Sequence, residues 1–279
     1  MDTVAALLGD AEKRLVGCSE SPRLDAELLL AQALGKDRTW LFTWPEHVPA
    51  DGECRLFGEW MRRRERGEPV AHLLGWREFH GHRFIVTADT LIPRPDTETL
   101  VEAALQRLPA AQSIAVADLG AGTGAVGISL GLARPDWRLL AADMSPAIVD
   151  LIERNCRALG AANVEPLLSS WLDAIDGPLD AIVSNPPYIA DGDRHLSLGD
   201  VRFEPRSALV SGADGLDDIR QLVLQAAGKL APAGWLMLEH GHDQGAAVRR
   251  LFAEAGYSAV ETVPDLGGNE RVTVGRKPV

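Results

Sequence analysis

Ser113-Ile-Ala-Val-Ala-Asp-Leu-Gly-Ala-Gly-Thr-Gly-Ala-Val-Gly127 is an apolar run that breaks into glycines and then resumes as a second apolar segment. Ser113 to Leu119 has the length and composition of a strand buried on both faces, and Val126 to Ala133 reads as the helix that follows it. Gly120, Gly122 and Gly124, with Ala121 and Thr123 between them, allow a tight turn and let a ligand lie against bare backbone at a helix N-terminus. Gly122-x-Gly124-x-x-Gly127 also satisfies the dinucleotide pattern, which is compatible with any adenosine-type cofactor. Asp143, ~20 residues on, ends the next strand, Trp137 to Ala142, where a carboxylate accepts hydrogen bonds from ribose hydroxyls. The alternative is a plain βα turn, with Asp143 capping the helix that opens at Ser145-Pro146.

The rhythm continues outward from this unit. Pro146 to Leu159 is helical, Asn163 to Leu168 and Leu179 to Ser184 are strands, and a helix from about Leu216 to Leu230 precedes strand Gly234 to Glu239. Helix Gln244 to Ala255 and two β runs, Ser258 to Val263 and Glu270 to Gly275, close the chain. Alternating strands and helices predict an α/β fold, a mostly parallel sheet with helices on both faces. The loop between the last two runs is too short for a crossover, so the final strand is expected to be antiparallel. Upstream, Asp96 or Thr97 is placed to cap a helix running to about Leu108.

The first ~75 residues carry helical rather than alternating patterning. Ser21 is a candidate N-cap with Pro22 at the first helical position, and Leu24, Leu28, Ala31 and Leu34 fall on one stripe before Gly35. Amphipathic segments also run through Val4 to Val16, Arg38 to Phe42 and Asp51 to Arg64. Two β-prone runs flanking Gly81 read as a hairpin. The expected organisation is a helical bundle at 1–75, a hairpin linker at 76–90 and a catalytic domain at 91–279.

Leu179-Asp-Ala-Ile-Val-Ser-Asn-Pro-Pro-Tyr188 ends a strand on two prolines, so Asn185 falls just past its C-terminal end, where open α/β sheets bind ligands. Asn185 offers a carbonyl acceptor. Pro186 and Pro187 lack N–H groups that would compete for nearby carbonyls, and Tyr188 adds a flat face. The set suits a planar substrate group bearing an NH2.

Composition narrows the function classes. A formal charge of -12 opposes the basic footprint of a duplex nucleic-acid binder, and Met61-Arg-Arg-Arg-Glu-Arg66 reads as a solvated helix face. The three cysteines, Cys18, Cys54 and Cys156, are scattered, which argues against a disulfide framework or zinc site. His80/His82 and His240/His242 lack a third ligand nearby in sequence, so no metal is expected. No apolar run approaches membrane-spanning length and the start lacks signal-peptide features, so a cytoplasmic protein without membrane contact is expected.

Asp118 to Gly124, Asp143 and Asn185-Pro-Pro-Tyr188 resemble the motifs of S-adenosylmethionine-dependent methyltransferases acting on amide or exocyclic NH2 groups. Ser21 to Leu30, Gly67 to His72, Arg77-Glu-Phe79, Ile92 to Glu98, Phe203-Glu-Pro205, Leu238 to Gly241 and Asn269-Glu-Arg271 extend the likeness almost end to end to the PrmC/HemK family, the release factor glutamine methyltransferases. Ala121, His80 and Ala88 depart from its common residues. The resemblance implies a Rossmann-like class I methyltransferase sheet and S-adenosyl-L-methionine as cofactor, with S-adenosyl-L-homocysteine as product. It further implies that Gly120, Ala121, Gly122, Thr123 and Gly124 line the cofactor, Asp143 holds its ribose and Trp171 packs on its adenine. Asn185, Pro186, Pro187 and Tyr188 would hold the substrate amide, with Asn185 also bordering the cofactor. The implied substrate is the glutamine of the Gly-Gly-Gln loop in class-one peptide chain release factors, docked by the helical domain, without direct nucleic-acid binding. A DNA or RNA adenine methyltransferase would use a similar Asn-Pro-Pro-Tyr clamp. A nicotinamide-dependent oxidoreductase would leave that clamp idle, and an inactive cofactor-binding scaffold would bind without transfer.

Overall fold

The structure, a computed structural model, describes residues 2–279. The chain divides into two compact units. Residues 1–76 together with Arg194–Phe203 form one, and Arg77–Asp193 together with Glu204–Val279 form the other. Segment 194–203, which the sequence reading places within 91–279, thus groups with the N-terminal helices.

The first unit contains α1 (Val4–Leu15), α2 (Pro22–Ala33), α3 (Arg38–Thr43), α4 (Asp51–Glu65) and α5 (Val70–Leu74) around Leu8, Leu15, Leu29, Leu30, Phe57 and Met61. The short helix α5 carries too few turns to show a period and was not expected from sequence. The stripe expected on α2 holds in part, with Ala31 and Leu34 buried. The inward face of the helix is Asp25, Ala26, Glu27, Leu29, Leu30 and Ala31, while Leu24 is exposed and Leu28 half-buried. An apolar stripe does not reveal that two acids, Asp25 and Glu27, take part of the inward face. Glu27 is gripped by Arg23 Nε at 2.7 Å and Arg38 Nη2 at 2.6 Å. Burial works to raise the Glu27 carboxyl, but these two guanidiniums outweigh it and hold it below its ordinary range. Ser21 stands at the N-cap of α2 with Pro22 following, as expected, but its side chain makes no cap bond and its hydroxyl instead donates to Asp25 Oδ1 at 3.3 Å.

The arginine run of α4 is likewise not a plain solvated face. Arg64 is buried, with its side chain only 5% exposed, and donates from Nε to Asp25 Oδ2 at 2.7 Å and from Nη1 to Asp200 Oδ1 at 2.8 Å. Arg63 pairs with Glu68.

In the second unit a hairpin, β1 (Trp76–Phe79) and β2 (His82–Ile85), turns through His80 and Gly81, both at positive φ. The remaining elements are α6 (Glu98–Arg107), β3 (Ala115–Leu119), α7 (Ala125–Ala133), β4 (Arg138–Asp143), α8 (Pro146–Leu159), β5 (Val164–Leu168), β6 (Leu179–Ser184), α9 (Asp217–Lys229), β7 (Leu230–Glu239), α10 (Gly245–Glu254), β8 (Ser258–Pro264) and β9 (Glu270–Arg276). The seven-stranded sheet has the order β5-β4-β3-β6-β7-β9-β8, and β9 runs antiparallel to both neighbours, as the short loop before it required. β7 begins at Leu230 rather than Gly234 because an irregularity in its pairing with β6 accommodates Pro232. Thr97 stands at the N-cap of α6, one of the two expected positions, but in helical backbone at the end of the 3-10 turn Pro95–Thr97 and without a side-chain cap bond.

Side chains alternate along each strand. Val116, Leu139, Ala141, Val183 and Met237 pack beneath α6, α7 and α8, whereas Ala117, Leu140, Ile182, Leu236 and Leu238 pack against α9 and α10. The strand order reverses between β3 and β6, which opens a crevice at their C-terminal ends. Among the described residues no helix is long and apolar enough to cross a membrane.

Candidate active site

The two-residue period that buries Val116, Ala141, Val183 and Met237 carries Asp118, Asp143, Asn185 and Glu239 onto the same face, at the C-terminal ends of neighbouring strands. These positions border or underlie one cavity of about 260 Å³, contained within the second unit.

Its floor is the glycine turn. Gly120, Gly122 and Gly124 have φ of +63°, +56° and +78°, a region open to glycine at no steric cost. Gly127 packs tightly: a Cβ there would sit 3.0 Å from Asp118 Oδ2, the atom that accepts the Gly127 N–H at 2.8 Å. Asp143 Oδ2 accepts from Gly122 N at 3.2 Å and Oδ1 from Ser145 N at 3.1 Å, so it secures both the loop and the start of α8. The Met144 N–H adds to these donors, and Asp143 lines the cavity wall. Trp171, at φ +49°, lays its ring over Gly120, where a Cβ would lie 3.1 Å from Cζ3. Ser169 holds that turn by donating from Oγ to Trp171 O at 2.9 Å.

Burial raises the Asp118 carboxyl to about 7; the Gly127 N–H opposes the shift and the charge on Asp143 adds to it. Because the folded value exceeds the ordinary 3.8, the native state binds more protons than the unfolded chain between those two pH values. Its stabilising contribution is therefore complete below pH ~4 and lost as pH rises through ~7. Asp118→Asn should remove this slope, so that wild type loses ~1.4 kcal/mol more than the variant per pH unit across that window. Urea unfolding at pH 5, 6 and 7 measures the difference, and parallel stability curves would contradict it.

The opposite wall is formed by the segment after β6. Asn185 Nδ2 donates to Thr97 Oγ1 at 3.2 Å, while Asn185 Oδ1 is buried with no hydrogen-bond partner. Asn185 and Pro187 line the cavity; Pro186 and Tyr188 are not among its lining residues. Tyr188 instead donates its hydroxyl to Glu239 Oε1 at 3.3 Å, and burial chiefly, with the Glu239 charge, drives its phenol upward. The backbone carbonyl of Tyr188 accepts from Gln244 Nε2 at 3.0 Å and lies only 2.3 Å from where a Cβ on Gly215 would stand. Gly215 also has φ +76°. Gly215→Ala should therefore cost ~2–3 kcal/mol in stability and displace the Asn185–Tyr188 turn. Denaturant midpoints together with single-turnover activity test this, and wild-type values for both would contradict it.

Sequence reasoning missed three contributors. Thr97, expected as a cap, spends its hydroxyl on Asn185. Glu204 accepts from Ile92 N at 3.1 Å and pairs with Arg94, fastening the cavity rim. Glu239 is fully buried, and burial raises its carboxyl to about 7 against the Thr97 and Tyr188 hydroxyls and the Arg271 charge. An acid ending an apolar strand was the available signal at Glu239, as it was at Asp118 and Asp143. His80 Nε2 bonds Glu102 at 2.9 Å, and His240 bonds Gly241 O and Thr273 Oγ1. Among the described residues no cluster of potential metal ligands occurs.

A sheet of this order, with a glycine turn at the switch point and an Asn-Pro-Pro-Tyr turn beside it, defines the methyltransferase class. Two solved structures share the fold. A methyltransferase from Pyrococcus furiosus aligns over 80% of this chain and 100% of its own, at 16% identity and TM-score 0.52. The T. thermophilus 16S rRNA N2 G1207 methyltransferase, solved with AdoMet and guanosine, aligns over 72% of this chain and 49% of its own, at 22% identity and TM-score 0.51. The PrmC N-terminal domain model matches residues 6–75 and the methyltransferase small domain model residues 96–208. Proteins named release factor glutamine methyltransferase are 52% identical in Pseudomonas aeruginosa over 99% of both chains, and 49% identical in Escherichia coli over 92% of this chain and 93% of the relative. The chain belongs to the release factor glutamine methyltransferase family.

Proposed function

We propose that this protein methylates the side-chain nitrogen of the glutamine in the Gly-Gly-Gln motif of class-one peptide chain release factors, using S-adenosyl-L-methionine and so modulating translation termination. In this reading residues 1–75 dock the factor, the 76–90 hairpin is a linker and 91–279 catalyse. One observation carries the chemistry: Asn185 Oδ1 is a buried acceptor without a donor, in the cavity wall across from the glycine turn.

The cavity fits the cofactor on its own features. Gly120, Gly122 and Gly124 present backbone that no Cβ shields, Trp171 offers a half-buried ring above Gly120, and the Asp143 carboxylate lines the same cavity. When bound, S-adenosyl-L-methionine supplies a methyl group made electrophilic by its sulfonium.

The substrate poses the harder problem, because a carboxamide nitrogen delocalises its lone pair into the carbonyl. In this reading Asn185 Oδ1 accepts one amide N–H, and the second acceptor is the carbonyl of Pro186, a residue outside the cavity lining whose carbonyl would have to face the bound amide. Gripping both hydrogens fixes the nitrogen's direction and lets it pyramidalise, which returns electron density to the lone pair. Orientation of this kind contributes several kcal/mol, with ~7 kcal/mol as an upper range for well-aligned reactants. The amide nitrogen would form its bond to the methyl carbon as the sulfonium carbon–sulfur bond breaks, and the N-alkylated amide, now strongly acidic, would lose its proton to solvent water without a dedicated base. Tyr188 contributes by anchoring the turn through Glu239.

An adenine methyltransferase would share the clamp, but the net charge of -12 disfavours a polyanionic substrate. The test is transfer of a radiolabelled methyl to a purified class-one release factor and to the same factor with its loop glutamine replaced. Label on the first and not the second is expected; equal labelling, or preferential labelling of duplex DNA, would overturn the proposal.

A further inference from the structure

A polar side chain that the reaction as derived does not use is sealed between the glycine turn and the hairpin. Asn155 lies on the inward stripe of α8 with Leu151, Ile152 and Cys156, and none of its surface is exposed. An amide is tolerated in such a place when its hydrogen-bonding groups are met. Asn155 Oδ1 accepts from Ile85 N at 2.8 Å, and both Nδ2 hydrogens are used, one on Ile85 O at 3.1 Å and the other on Thr123 O at 2.9 Å. A flipped amide would set its oxygen against two carbonyls and its NH2 against an N–H, losing all three bonds, so the network fixes one orientation.

These bonds join two segments that both reach the cavity. Thr123 belongs to the glycine turn, and the N–H of the next residue, Gly124, donates to Ala121 O at 2.8 Å, so the peptide between them is held at both ends. One turn earlier on α8, Ile152 closes the space beside Gly124, where a Cβ would lie 3.1 Å from Ile152 Cγ2. Ile85 ends β2, and the chain leaving it supplies Asp89, Thr90 and Leu91 to the cavity wall. We infer that Asn155 is a positioning residue for the cofactor, fixing the Thr123–Gly124 peptide against α8 and tying it to the hairpin, so that filling the cavity steadies the hairpin through one side chain. The inference rests on the reading that S-adenosyl-L-methionine takes this cavity. Asn185 bonds to Thr97 and not to this network, so the effect of Asn155 belongs to cofactor binding rather than to the transfer step.

Asn155→Asp keeps the shape and the acceptor for Ile85 N but removes both donors and sets an oxygen against Thr123 O. It should weaken S-adenosyl-L-homocysteine binding ~10- to 100-fold by calorimetry, while kcat at saturating S-adenosyl-L-methionine stays within ~3-fold of wild type. Leu222→Ala, a core truncation on the other face of the sheet, loses stability alone and should leave that Kd within ~2-fold. Hydrogen exchange reads the coupling: S-adenosyl-L-homocysteine should slow exchange of the Ile85 amide in the wild type and in Leu222→Ala, but not in Asn155→Asp. Wild-type Kd in Asn155→Asp, an equal weakening in Leu222→Ala, or equal slowing at Ile85 in all three proteins would each overturn the inference. The wild type alone also tests it, since an Ile85 amide indifferent to bound ligand contradicts the coupling whether or not the variant folds. A wild-type protein that binds no S-adenosyl-L-homocysteine would instead sink the cofactor reading itself.

Discussion

Asn185→Ala should lose ~100- to 1,000-fold or more in methyl transfer while cofactor affinity falls much less. The asymmetry follows from the geometry. The glycine turn, Asp143 and Trp171 are held by bonds that do not involve Asn185: Asp143 by Gly122 and Ser145, and the Trp171 turn by Ser169. What the variant removes is Oδ1, a buried acceptor without a hydrogen-bond partner on a residue that lines the cavity. An unoriented amide nitrogen then has to find its attack direction by chance, and the loss appears in kcat rather than in KM. Single-turnover kinetics beside equilibrium cofactor binding separates the two. Turnover within a few-fold of wild type would remove the amide clamp from the account.

Arg64→Ala should destabilise the helical unit by ~3–5 kcal/mol, because it strands a buried carboxylate. Asp25 is 7% exposed and receives Arg64 Nε at 2.7 Å, with Ser19 and Ser21 hydroxyls as its remaining donors. Arg64 also ties Asp200 and the carbonyls of Gly67 and Glu68 into the same unit, so the loss reaches segment 194–203. Adding Asp25→Asn to Arg64→Ala should recover part of the stability, since the stranded charge disappears even though the arginine does not return. Urea denaturation of the two variants decides it; a cost below ~1 kcal/mol for Arg64→Ala would place this pair with ordinary surface bridges.

The contrast between these two residues shows what the sequence makes legible. Asn185 could be placed because local rules suffice: an apolar run ends on two prolines, and the βα rhythm locates that end at the switch point. Strand Leu179–Ser184 and helix Pro146–Leu159 fall where their patterns and prolines say they should. The burial of Arg64 could not be read in this way. Its partners lie 39 and 136 residues away, and no period within α4 distinguishes a buried arginine from its solvated neighbours. The same long-range pairing accounts for buried Asp25 on the inner face of α2, while Glu27 is paired locally with Arg23 and Arg38. Thr97 was misread for a related reason: its position before a helix suits a cap, and its actual bond is to a residue 88 positions on. Tyr188 was expected as a flat wall for the substrate, yet its hydroxyl is committed to Glu239, a contact set by the pairing of β6 with β7.

The most direct measurement is tandem mass spectrometry of a purified class-one release factor after incubation with S-adenosyl-L-methionine and either the wild-type protein or Asn185→Ala. The account predicts a single added methyl on the side-chain nitrogen of the Gly-Gly-Gln glutamine with the wild type, and an unmodified loop with the variant. A methyl on any other residue, an unmodified loop with the wild type, or equal modification by both proteins would contradict it.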